Sequence, residues 1–211
     1  LKILLFNNRI YGLTKGQSSP TSERGKKTKS TPMGSVDEPF SPLALALGAG
    51  ANFFARSIDI FAPHLISMIE RLDAHKGTGL LEIYQNCNIF NNGAFSSFTD
   101  KAVRGQRVVE LEQGQPMLFD EGKQALVLDA DLQAQAVQVG EGGAGDLIKW
   151  DERASNPAAA MALAHADEHS LPVPIGVFRD VERPTFEDEI LGQIAVAEEH
   201  RSQTLDDLLL G

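Results

Sequence analysis

Cysteine is nearly absent: Cys87 is the single one in 211 residues. One thiol closes no internal disulfide, so the chain suits a reducing compartment, and a cytoplasmic location is expected. Long apolar runs are missing too. No stretch approaches the roughly 20 residues of a membrane-spanning helix, and no signal-peptide pattern opens the chain, so no membrane association is expected. Positive charge is in deficit: 19 Lys and Arg stand against 29 Asp and Glu, a formal net charge of −10. That balance argues against broad binding to a nucleic-acid backbone but leaves room for a local basic site. Position 1 is Leu rather than Met, and the natural N-terminus is expected upstream. No internal repeat is evident.

What is present is an ordinary globular composition, 42% hydrophobic and 23% charged, with length for one large or two small domains. The apolar run Ile3 to Phe6 reads as a buried parallel strand. It stops at Asn7-Asn8. Ligands of parallel α/β sheets sit at the carboxyl ends of strands, so Asn8 is a candidate metal or phosphate ligand; the plainer alternative is a turn. Residues 15–35 are rich in Gly, Ser, Thr, Pro and Lys, with a basic cluster of Lys15, Arg24, Lys26, Lys27 and Lys29 against Glu23. They are not a Walker loop. Lys27 stands where Ser or Thr is required after Gly25-Lys26, and Pro20 where the first Gly belongs.

Ser41 and Pro42 open a short helix within Phe40 to Ala51. Asn52 to Ile58 reads as a strand. Leu65, Ile66, Met68, Ile69 and Leu72 recur at helical spacing between about Pro63 and His75, with Gly77 as the stop. Thr78 to Tyr84 is the next strand, and the alternation predicts an α/β fold with a parallel sheet. Cys87 follows that strand, read either as a small buried hydrophobe or as an iron–sulfur ligand. Asn91-Asn92-Gly93 reads as a turn, with Phe90, Phe95 and Phe98 as anchors. Past Gln106, the short runs Val108–Leu111, Pro116–Phe119, Ala125–Leu128 and Ala136–Val139 suggest an antiparallel appendage over about 106–150, with Glu141 to Gly145 as a linker.

Asn156 caps a helix to Ala166. His165 and His169 are spaced to bind a metal if that helix continues, and are otherwise a solvated pair. Val173 to Pro184 reads as extended. Thr185 with Asp188 caps a helix to His200, and Thr204 and Asp206 open a last short one. The division expected is an α/β domain over 1–105 and a β-hairpin and helical extension over 106–211.

The stretch Asn7-Asn8-Arg9-Ile10-Tyr11-Gly12-Leu13-Thr14-Lys15-Gly16-Gln17-Ser18-Ser19-Pro20-Thr21, continuing into Thr31-Pro32-Met33-Gly34, resembles the thiamine-diphosphate segment of 2-oxoacid:ferredoxin oxidoreductase β subunits. Pro174-Ile175-Gly176-Val177-Phe178-Arg179 is similar to that family's C-terminal segment. The upstream Gly-Asp-Gly half of the family motif has no counterpart here. The resemblance implies a parallel-sheet thiamine-diphosphate-binding fold, with residues 1–105 as its C-terminal portion.

By the same resemblance, the Asn8 side chain and the Ile10 carbonyl bind Mg²⁺, and Tyr11, Gly12, Leu13 and Thr14 complete the cofactor pocket. Leu13 and Lys15 contact the 2-oxoacid, with Lys15 favouring 2-oxoglutarate through its second carboxylate. Cys87 is the fourth ligand of a [4Fe–4S] cluster whose other three ligands are missing, so the chain alone should be inactive. The implied partners are an α subunit, ferredoxin, coenzyme A and the 2-oxoacid. Two other classes stay open: a non-catalytic α/β fragment, and a generic phosphate- or nucleotide-binding module working through residues 15–35.

Overall fold

The computed structural model describes residues 1–140, 144–145, 147–200 and 205–210. In chain order the elements are β1 (Lys2–Asn7), α1 (Pro42–Gly48), β2 (Phe53–Ile58), α2 (Ala62–Ala74), β3 (Gly79–Tyr84), α3 (Ser96–Thr99), α4 (Arg104–Arg107), β4 (Val108–Leu111), β5 (Leu118–Phe119), β6 (Gln124–Leu128), β7 (Ala134–Gln138), α5 (Ala158–Ala164), β8 (Val173–Asp180), α6 (Phe186–Glu199) and α7 (Leu205–Leu210).

Five strands form the main sheet in the order β1-β3-β2-β8-β4. β1, β3 and β2 run parallel, β8 runs antiparallel to β2, and β4 runs parallel to β8. All six residues of β2 are buried, as a central strand covered on both faces requires. One face carries Phe53, Ala55, Leu81, Ile83 and Val177 against Met68 and Leu72 of α2. The other carries Phe54 and Phe178 against α1, α5 and the second sheet, β5-β6-β7. Trp150 is buried there and donates its indole N–H to the Val177 carbonyl at 2.9 Å. A third cluster, with Ile58, Tyr84, Phe95 and Phe98, closes the carboxyl end of the parallel strands.

Local signals hold where hydrogen bonds are local. Ser41 accepts from Ala44 N at the start of α1, and Thr185 and Asp188 form a reciprocal capping box on α6. Two readings change. The opening strand is not buried: β1 is the outer strand, with Leu4 at 45% and Phe6 at 55% exposure, because it has a neighbour on one side only. Its pattern was that of a two-sided strand, and pattern says nothing about sheet order.

β4 does not join the antiparallel appendage. It pairs with β8 in the main sheet, and β8 in turn pairs with β2, so the sheet spans the expected boundary at residue 105. Gly176 permits this approach. Its φ is +103°, and a Cβ there would lie 2.7 Å from the Leu111 carbonyl oxygen.

The histidine pair falls to its solvated alternative, with both residues exposed. α5 stops at Ala164 and His165 is its cap. Asp167 then accepts from His169 N and Ser170 Oγ in a turn, so the two imidazoles share no helical face. Among the described residues no group of three His, Cys, Asp or Glu side chains could hold a metal, and no helix is long and apolar enough to cross a membrane. The expected linker at 141–145 and the cap Thr204 lie wholly or partly outside the described residues.

Candidate cofactor site at the carboxyl end of the sheet

The two asparagines that end β1 divide their work. Asn7 turns inward and is firmly held: Nδ2 donates to Glu82 Oε1 at 2.8 Å, and Oδ1 accepts from Thr21 Oγ1 at 2.7 Å and Arg9 N at 3.2 Å. Asn8 forms the turn itself. Among the described residues its Oδ1 accepts only from Ile10 N, at a long 3.3 Å. Its carbonyl accepts from Asn91 Nδ2 at 2.9 Å. Among the described residues no donor reaches the Ile10 carbonyl.

Arg9 fixes the turn from beneath. It takes a φ of +55°, lies 4.8 Å over the Phe95 ring, and forks onto both Glu168 oxygens at 2.6 Å. Burial works against its charge, and the Glu168 bond and neighbouring Tyr84 outweigh it, holding the guanidinium above the ordinary arginine range. Below this lies a second pair: Arg56 Nε donates to Glu82 Oε2 at 2.8 Å. Tyr84, between the two arginines, is pushed up to about 12 by burial.

Residues 11–17 close a tight loop. Tyr11 N donates to Gln17 O at 2.8 Å, Gly16 N returns to Tyr11 O at 3.0 Å, Lys15 N meets Gly12 O at 3.0 Å, and Thr14 Oγ1 reaches Tyr11 O at 3.3 Å. Leu13 stands at the tip, 96% exposed. Lys15 is exposed and has no ion-pair partner among the described residues. Phe90 underlies the loop: a Cβ on Gly16, whose φ is +95°, would come 3.1 Å from its ring.

Cys87 follows β3 and sits beside this loop, partly exposed. It forms a bridge with Asn91. The Phe90 backbone N–H faces the sulfur and draws the thiol below its usual range against slight desolvation, with Ile89 and Asn91 N–H acting the same way. Asn91, buried, ties the two loops together, since its Nδ2 holds Asn8 and its Oδ1 accepts from Lys26 Nζ.

The structure therefore brings Asn8, Ile10, Tyr11, Gly12, Leu13, Thr14, Lys15 and Cys87 onto one rim at the carboxyl end of the parallel strands. An adjoining cavity of about 610 Å³ is lined by Asn7, Arg9, Arg56, Glu82 and Tyr84, but not by Asn8.

The reading from sequence passed over Asn91, which looked like a turn residue, and the four charged residues Arg9, Arg56, Glu82 and Glu168. Two of these carried a signal. Arg56 and Glu82 each interrupt an apolar strand, and a charge buried in a strand needs a partner.

The thiamine pyrophosphate enzyme family's C-terminal TPP binding domain matches residues 1–83. The 2-oxoglutarate oxidoreductase subunit KorB of Mycobacterium tuberculosis is 40% identical over 196 residues, 92% of this chain and 52% of that protein. The 2-oxoacid:ferredoxin oxidoreductase subunit beta of Saccharolobus solfataricus is 38% identical over 103 residues, 49% of this chain and 34% of that one. A solved structure, 2-oxoglutarate:ferredoxin oxidoreductase from Magnetococcus marinus with 2-oxoglutarate, coenzyme A and succinyl-CoA bound, superposes with a TM-score of 0.65 at 23% identity, over 99% of this chain and 56% of that one. The chain thus spans about half the length, or less, of the relatives it matches. It belongs to the 2-oxoacid:ferredoxin oxidoreductase β-subunit family and has the fold of a thiamine-pyrophosphate enzyme's C-terminal domain.

Proposed function

We propose that this chain holds the diphosphate–magnesium end of thiamine diphosphate in a 2-oxoacid:ferredoxin oxidoreductase that acts on 2-oxoglutarate. The observation that carries the reading is the pair of hard oxygens at the end of β1: among the described residues, Asn8 Oδ1 is held only by its own turn and the Ile10 carbonyl meets no donor. Mg²⁺ takes oxygen ligands in an octahedron and commonly completes it with phosphate and water. Asn91 and Arg9 keep the turn from relaxing, which orients both oxygens before a metal arrives.

The donor set also suits a cluster, in part. Cys87 offers one thiolate with backbone N–H groups aimed at it, which stabilises negative charge on sulfur. A [4Fe–4S] cluster needs three more ligands, which another segment or chain must supply. When bound, thiamine diphosphate supplies the electron sink for loss of CO₂ from a 2-oxoacid.

This chain's residues bind and orient. Tyr11, Gly12 and Thr14 line the cofactor, Leu13 limits the room beside it, and the Lys15 ammonium pairs with a second, distal carboxylate. The overall reaction takes a 2-oxoacid and coenzyme A to acyl-CoA and CO₂, with the electrons leaving to ferredoxin. An α subunit completes the enzyme. The single thiol suits a reducing cytoplasm.

Titration calorimetry of thiamine diphosphate with Mg²⁺ into the assembled enzyme tests this. Asn8→Ala should weaken binding about tenfold or more with the circular dichroism unchanged. Unchanged affinity would remove the basis of the proposal.

A further inference from the structure

Residue 9 stands between the two oxygens proposed to meet magnesium. Peptide planes are rigid, so the φ and ψ of Arg9 set how the Ile10 carbonyl stands to Asn8. That φ is +55°, in the left-handed region that an L side chain rarely occupies. Such a conformation persists only where its surroundings hold it.

Two kinds of contact do so. The first is local: Arg9 N donates to Asn7 Oδ1 at 3.2 Å, and the Arg9 carbonyl accepts from Ser22 Oγ at 2.6 Å. The second comes from the far half of the chain. The guanidinium lies over the rings of Phe95 and Tyr84, 4.8 and 5.4 Å from their centroids, and forks onto both Glu168 oxygens at 2.6 Å. A bidentate arginine–carboxylate pair is strong and fixes direction as well as distance. The side chain of Arg9 is 12% exposed and that of Glu168 27%, so solvent screens the pair weakly.

Glu168 is itself held. It lies in the loop between α5 and β8, where Asp167 accepts from His169 N at 3.0 Å and from Ser170 Oγ at 2.7 Å. Arg107, the last residue of α4, donates to the carbonyls of Glu168 and His169. The strands that follow these two segments pair in register, Val108 with Val173. The carboxylate is thus carried by the main sheet and aimed back at the β1 turn.

We propose that Glu168 is a positioning residue for the cofactor: through Arg9 it keeps the Asn8–Ile10 turn left-handed, and so presents both oxygens to the diphosphate-bound magnesium. The inference rests on the magnesium reading above and makes that site depend on the 106–211 half of the chain. Groups that orient metal ligands without touching the metal change affinity about ten- to hundredfold when removed. Glycine takes a φ of +55° without strain, so a turn with glycine at position 9 no longer needs Glu168.

The test is titration calorimetry of thiamine diphosphate with Mg²⁺ into the assembled enzyme, with Tm recorded for each variant. Glu168→Ala should raise the Kd about tenfold or more. The double variant Arg9→Gly/Glu168→Ala should return to within about threefold of the unmodified enzyme. A residue that only stabilised the fold would lower Tm in both variants and leave the Kd unmoved.

An unchanged Kd in Glu168→Ala overturns the proposal, as does a double variant that binds no better than the single one. Where Glu168→Ala does not assemble, Arg9→Ala against Arg9→Gly decides: alanine should bind about tenfold more weakly than glycine, and equal affinities overturn the proposal. If Asn8→Ala weakens binding and Glu168→Ala does not, the magnesium reading stands and this inference falls; if neither does, both fall.

Discussion

Replacing Glu82 by Leu is expected to be among the most damaging single changes in this chain. The side chain is fully buried and bonds both Arg56 Nε and Asn7 Nδ2 at 2.8 Å. Without it, Arg56 keeps only a 3.5 Å contact to the Pro174 carbonyl and the ring faces of Tyr84 and Phe178. Leaving a buried charge unpaired costs about 3–5 kcal/mol. The lost acceptor for Asn7 adds about 1–3 kcal/mol, and burying a leucine returns about 1.5–3 kcal/mol. Taken at the centre of each range, the net loss is about 4 kcal/mol.

At about 2–4 °C per kcal/mol for a chain of this size, Tm should fall by roughly 8–16 °C. Urea and thermal unfolding measure this. The double variant Glu82→Leu/Arg56→Met removes both charges and should recover more than half of the loss. A single variant costing under about 1 kcal/mol, or a double variant equal to the sum of the singles, would refute the reasoning.

Three further outcomes are expected. Lys15→Ala in the complete enzyme should raise the KM for 2-oxoglutarate about ten- to hundredfold, the worth of a charged hydrogen bond, while leaving a neutral 2-oxoacid nearly unaffected; equal effects on both would deny the role. Gly176→Ala should lower the urea midpoint by about 2–4 kcal/mol of stability, since a methyl at φ +103° meets the Leu111 carbonyl, and an unmoved midpoint would contradict that contact. Burial holds the His64 imidazole below its usual pKa. The unfolded chain therefore binds the extra proton first, and stability should be complete above about pH 6.5 and decline as pH falls toward the lowered folded value. His64→Gln should flatten that decline in unfolding curves taken between pH 7.5 and 5.

Two devices in this molecule show where sequence reading stops. Arg56 and Glu82 lie 26 positions apart and meet because β2 and β3 are neighbours in register. Arg9 and Glu168 lie 159 positions apart and meet because β8 returns antiparallel to β2, bringing the segment before it under the β1 turn. Neither pair has any local signature beyond a charge in an unexpected place. Asn91 is the sharper case. As a residue in Asn-Asn-Gly it is an ordinary turn former, and only the packing of two loops makes it the bridge between Asn8, Lys26 and the Cys87 loop.

Residues whose partners are their chain neighbours announced themselves: the Ser41 and Thr185 caps, the stripe of α2, the break at Asn7-Asn8, the failed Walker spacing, and the family segment from Asn7 to Thr21. Hydrogen bonds and periodic faces of that kind are set within a few residues, so a linear reading reaches them. The order of the strands, the exposure of β1, the incorporation of β4 and the buried charge pairs were decided by tertiary structure alone. Each depends on which distant segments become neighbours, and that is settled by the packing of the whole chain rather than by any window of it.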